Sequence, residues 1–184
     1  GDESMGRLLK DAGYVTGYWG KWGFGGSDDR NNPTIVNRQT LPTSHGYDYV
    51  VAELHHVRAH TFFQPTLWVS GPGDDGMALE PNTMLPYTGD PAAYPDYPSR
   101  QNDPAYPATA YADDVYSFAA LDFVREQSLN YNQTGQPFFA LLACQIPHSP
   151  FDEIRALPGW DEAYADDPHF AGLSDEARGW AAMV

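Results

Sequence analysis

A chain of 184 residues can bury a substantial core, and 42% apolar with 14% aromatic residues excludes a disordered segment. A formal charge of −15 and a pI near 4.4 exclude a general nucleic-acid surface, so an anionic ligand needs a local cationic pocket working against the overall field. No run of 18 apolar residues is present, and a single cysteine, Cys144, excludes an intramolecular disulfide. The opening "GDESMGRLLKDAGY" is not a signal peptide. Its Met5, Leu8, Leu9 and Ala12 recur at helical spacing up to a stop at Gly13. "YVTGYW" reads as a short strand, and "HGYDYVVAEL" as a second strand or strand–loop. Prolines, Gly-Asp pairs and tyrosines predict a long irregular loop over residues 70–110. "DDVYSFAALDFVREQ" is the clearest helix, with Asp113 and Asp114 at the cap and first turn and Val115, Phe118, Leu121 and Val124 as its inner stripe. After the turn signal "NQTGQP", the apolar run "QPFFALLAC" predicts a strand covered on both faces of a parallel sheet, with Cys144 packed inside. The fold class is therefore α/β. The final "SDEARGWAAMV", like the opening, reads as a helix cut in mid-course, and the chain is expected to be a piece of a longer protein.

The residues able to carry chemistry sit where strands open into loops, the usual place for ligands in an α/β sheet. Lysine occurs only at positions 10 and 21, and Lys21 directly follows the first predicted strand, inside "GYWGKWGFGG". An ammonium is a compact charge on a flexible stem, unlike a guanidinium fork. "ELHHVRAH" gathers His55, His56, Arg58 and His60 after the second strand, and in "CQIPHSPF" prolines on both sides of His148 restrict the backbone that aims its ring. No carboxylate or thiolate stands at a zinc-ligand spacing beside the three clustered histidines. His45 and His169 read as turn and surface residues. Cations and proton donors concentrated in an acidic chain point to an oxyanion substrate.

Four blocks, in order, resemble type I sulfatases. "LLKDAGYVTGYWGKWGFGG" is similar to the helix, strand and Gly-Lys-Trp segment of that family; "HGYDYVVAELHHVRAHTFFQPTLW" resembles the following segment; "YADDVYSFAALDFVREQ" and "PFFALLACQIPHSPF" resemble the helix, strand and Pro-His-x-Pro loop after it. The resemblance implies an alkaline-phosphatase-like fold, a mostly parallel sheet flanked by helices, of which residues 1–184 would form the middle part. It implies hydrolysis of sulfate esters, with Lys21 on the sulfate and leaving-group oxygen, His148 hydrogen-bonding the sulfate or protonating the departing alcohol, and His56 or His60 near the sulfate. Calcium and a formylglycine made in a Cys/Ser-x-Pro-x-Arg motif are also implied, both outside this stretch. "DYPSR", residues 96–100, copies only the end of that motif, with Asp96 in place of the nucleophile. Position 23 is glycine where many sulfatases carry histidine. The expected substrate is a sulfated small molecule or glycan, the expected location periplasmic or extracellular, and the stretch alone is expected to be inactive. A phosphodiesterase or phosphonate hydrolase of the same superfamily, and a non-catalytic binder of sulfated glycans, are the alternatives.

Overall fold

The computed structural model of the chain describes residues 3–25, 34–73, 76–82, 109–155 and 159–183. Five strands form one sheet: β1 (Val15–Lys21), β2 (Tyr49–Glu53), β3 (Thr66–Ser70), β4 (Ala78–Pro81) and β5 (Phe138–Ala143), in the order β4-β3-β2-β1-β5. β1 runs parallel to both β2 and β5, whereas β3 and β4 extend the sheet with antiparallel pairings. The α/β expectation is met. The C-terminal ends of β2, β1 and β5 consequently lie side by side on one edge: Lys21 opposite Glu53, and Gly20 opposite Ala143.

Helix α1 (Met5–Asp11) precedes the sheet, and its contact is made through Gly6, where a Cβ would stand 2.8 Å from the Tyr47 ring; Met5 and Leu8, two of the apolar residues at helical spacing, are exposed. Helix α2 (Ala112–Thr134) lies across the three parallel strands. Phe123 is its central contact, with ring centroids 4.9 Å from Trp19 on β1, 5.1 Å from Tyr49 on β2 and 5.9 Å from Phe138 on β5. The buried face runs through Ala112, Val115, Tyr116, Ala119, Phe123 and Gln127. Leu121 and Val124, read as part of the inner stripe, are 39% and 37% exposed: apolar type alone does not decide the face when alanines and a tyrosine fill the contact row. The helix also continues through the predicted turn to Thr134, where Gly135 at φ 75° ends it in the left-handed conformation that glycine tolerates. The opposite face of the sheet packs Tyr18, Val50, Ala52 and Trp68 against Trp22, Leu41, Tyr47 and Leu54.

Three further expectations are corrected. β5 is an outer strand of the sheet among the described residues, and Leu142 is 45% exposed, so it is not covered on both faces. Cys144, just past its end, is exposed rather than packed. Part of the stretch read as a loop is the strand β4, which pairs with β3 through backbone bonds that its Pro- and Gly-rich surroundings did not advertise. Buried Asn82 follows it: its amide donates to the carbonyls of Gln64 (2.7 Å) and Ala110 (2.9 Å), and its carbonyl accepts from Ala110 N–H (2.9 Å). Residues 83–108, with "DYPSR", lie outside the described residues.

The approach of β5 to β1 depends on Gly20. Its φ is +114°, and a Cβ there would fall 1.9 Å from the carbonyl oxygen of Ala143. We expect Gly20→Ala to destabilise the protein by about 2–4 kcal/mol, from backbone strain plus overpacking, as read by chemical denaturation.

Candidate active site

Lys21 is the last residue of β1 rather than the first after it. Its neighbours fix its base. Tyr18 Oη donates to the Lys21 carbonyl, Trp22 N–H donates to Glu53 O at 3.0 Å, and the buried Trp22 indole donates to Thr40 O at 2.7 Å. The side chain itself is half-buried, and partial desolvation pulls the ammonium pKa below its usual value. Gly23 sits at φ +69°, and a Cβ there would be 3.7 Å from Lys21 Cε, so the glycine leaves the lysine stem bare on that side.

The loop after β2 is held from below by a buried ion pair. Glu53, with no exposed surface, accepts from His55 N–H through Oε1 (2.8 Å), and its Oε2 pairs with Arg58 Nη1 at 3.2 Å. Arg58 Nη2 donates to both the carbonyl and the hydroxyl of Thr66 at 3.0 Å. Arg58, grouped with the oxyanion-binding cations from its place in the sequence, is instead consumed inside the protein, because the Glu53 carboxylate must be neutralised where it is buried. His55 is likewise structural: its Nδ1 accepts from the backbone of Val57 (3.1 Å) and Arg58 (3.3 Å). That leaves His56 and His60, whose rings meet edge to face at 4.8 Å.

His148 comes from the other side. It follows β5, yet its ring stacks on that of His60 at 4.5 Å with an interplanar angle of 22°. β1 lies between β2 and β5, so the two loops that meet here leave the sheet on either side of the strand that ends in Lys21. The residue that ties the loops together is Gln145. Its carboxamide donates to Ala59 O (2.7 Å) and Thr61 O (3.2 Å) and accepts from Gln64 Nε2 (3.1 Å), while its own N–H donates to Asp113 Oδ1 (2.8 Å). Nothing in the sequence singled out Gln145. Asp113 was legible as a helix-start carboxylate, but it is buried and turned to the β5 loop rather than to its own helix. A cavity of ≈ 520 Å³ opens beside the stacked pair, lined by His60, His148, Phe151, Asp152, Arg155 and Glu176 among others. His45 packs against Trp22, and His169 is at the surface, as expected.

Burial drives both supporting carboxyls upward. Glu53 is raised to about 7 by desolvation, against the lowering pull of Arg58 and of backbone N–H groups; Asp113 is raised to about 6 by desolvation, against backbone bonds from Gln145 and Ile146. Between about pH 4 and pH 7 the folded protein therefore holds protons that the unfolded chain has already released, and stability falls as pH rises through that window. Asp113→Asn keeps an oxygen acceptor for Gln145 N–H and removes one titration. Its melting temperature should decline less steeply than that of the unaltered protein between about pH 4 and pH 7; parallel curves would refute the assignment.

Two solved structures are similar to the chain. One is Ps i-CgsB in complex with k-i-k-neocarrahexaose, at 21% identity over 97% of this chain and 32% of that one, with a TM-score of 0.49. The other is Ps i-CgsB, at 17% identity over 100% of this chain and 35% of that one, with a TM-score of 0.44. The chain spans about a third of the length of these structures. No curated protein sequence matches it significantly. The sulfatase family profile matches residues 1–169, which takes in every strand, α2 and both histidine loops, and the chain therefore belongs to the sulfatase family.

Proposed function

We propose that the whole protein hydrolyses sulfate esters of a sulfated carbohydrate, with Lys21 and His148 as the groups that this chain brings to the reacting atoms. What supports the reading is the contact of His60 with His148, made between the loops that follow β2 and β5, the two strands that flank the one ending in Lys21. As the S–O bond breaks, negative charge builds on the bridging oxygen. An ammonium already in place stabilises that charge, and an imidazolium can hand a proton to the departing alcohol. His56 and His60 take the neighbouring sulfate oxygens in this reading, and the bare side of Lys21 at Gly23 leaves room for the ester.

The calcium ion and the formylglycine nucleophile belong, in this proposal, to segments outside these residues. Among the described residues no group of three His, Cys, Asp or Glu can hold a metal, and the buried carboxylates Glu53 and Asp113 are taken by Arg58 and by backbone N–H groups. The 184 residues contain no Cys/Ser-x-Pro-x-Arg motif, so the stretch alone is proposed to be inactive. A periplasmic or extracellular site of action, where sulfated polymers occur, completes the proposal. No helix among the described residues is long and apolar enough to cross a membrane.

In the full-length protein, Lys21→Ala should lower kcat on an aryl sulfate by about 10²–10³-fold. His148→Ala should cost more on an alkyl or sugar sulfate than on an aryl sulfate, whose leaving group departs without a proton. Steady-state kinetics on both substrate types checks this. Unchanged turnover in Lys21→Ala would sink the assignment. Preferential cleavage of an aryl phosphonate would point to the phosphonate hydrolase, and binding of sulfated sugar without turnover to the glycan binder.

A further inference from the structure

The cavity beside His60 and His148 has two chemically different ends. One is formed by the stacked imidazoles. The other is formed by α3 (Asp152–Arg155) and, after the short α4 (Pro168–Ala171), by α5 (Asp175–Ala181); α3 and α5 contribute Asp152, Arg155 and Glu176. This second wall is held in place by packing. Glu153 on α3 accepts a hydrogen bond from Phe62 N–H at 2.7 Å, which fastens α3 to the His60 loop. Gly179, inside α5, is where the two helices touch: a Cβ there would come 3.0 Å from Phe151 Cβ and 3.5 Å from Arg155 Cγ and Cδ. A glycine in a helix interior costs about 1 kcal/mol relative to alanine, so its presence is best explained by this close approach. Glu176 lies three residues earlier on the same helix face and is thereby directed to the cavity. Arg178 secures α5 from its other side, paired with Asp161 and set 5.3 Å over the Trp160 ring and 5.2 Å over that of Phe170.

The charges of that wall do not balance. Arg155 is paired with Asp152, which leaves the Glu176 carboxylate as the surplus. Carboxylates accept hydrogen bonds from hydroxyl groups and repel a second anion. A volume of ≈ 520 Å³ falls in the range of small-ligand sites.

We infer that the cavity is a sugar subsite in which the imidazole end takes the sulfate and the Asp152–Glu176 end takes free hydroxyls, so that a ring bearing one sulfate is preferred over the same ring bearing two. The inference rests on the sulfate-ester reading above. Glu176 is the specificity-determining residue, and its exposed position makes Glu176→Gln a variant that folds.

The test uses the full-length protein with a singly sulfated disaccharide and its counterpart carrying a second sulfate on the same ring. The unaltered protein should favour the singly sulfated substrate in kcat/KM. Glu176→Gln should narrow that preference by about threefold to tenfold, and by less in high salt, where the carboxylate is screened in any case. A role in folding alone would change both substrates equally, and an unmoved ratio overturns the inference, as does a preference for the doubly sulfated sugar. Calorimetric binding of the same pair separates the two readings. A protein that cleaves neither sugar but binds the singly sulfated one more tightly keeps the subsite and loses the hydrolase; a sulfatase whose ratio is indifferent to Glu176 does the reverse.

Discussion

The buried side chain of Gln145 is the joint on which the candidate site depends. Two loops that leave the sheet on either side of β1 have no backbone reason to meet, and each would be free to open toward water. One carboxamide, donating to two carbonyls of the first loop and accepting from Gln64, closes them against each other, while the Gln145 N–H is fixed by Asp113 at the start of α2. The bonds to Ala59, Gln64 and Asp113 are buried and the one to Thr61 partly so; leaving a buried group unmet would cost about 1–3 kcal/mol, and the arrangement is held more tightly than exposed bonds would hold it. The stacking of His60 on His148 follows from that joint.

Beneath it, the sheet supplies the common edge. Parallel pairing of β2, β1 and β5 makes their carboxyl ends coincide, and the close β1–β5 approach at Gly20 brings the second loop within reach of the first. The buried charges serve this edge rather than the substrate. Glu53 and Arg58 neutralise each other, and Arg58 carries the tie onward to Thr66, so the histidine loop is braced at both ends of its turn. The outcome is a division of labour between groups that look alike in the sequence: one arginine and one histidine build the scaffold, while Lys21 and the imidazoles of His56, His60 and His148 stand at or just after strand ends.

That division explains what was legible beforehand. The helix from Ala112, the strands around Tyr18, Val50 and Leu141, and the placing of His60 and His148 in loops after strands all follow from local pattern, because periodicity and turn residues act at short range; Lys21 was displaced by one position, into the strand itself. What escaped depends on partners distant in the chain. Whether Arg58 faces water or Glu53, and whether Asp113 caps its own helix or holds a loop 32 residues later, is decided by tertiary burial that no local window contains. Leu121 and Val124 fell on the wrong face for the same reason: the sheet selected Tyr116, Ala119 and Phe123 as its contact row. Gln145 carried no signal, since a glutamine at a strand end is unremarkable until its carbonyl partners are known.

The pairing of Asn82 with Ala110 has a separate consequence. One backbone bond and one side-chain bond join Asn82 to Ala110, and a second side-chain bond ties Asn82 to Gln64, so the two points that border residues 83–108 are held together. The entropy of closing such a segment grows only logarithmically, by about 0.6 kcal/mol per doubling of length. Once Asn82 and Ala110 are paired, a change in the length of the chain between them alters the cost of bringing these two points together only slightly.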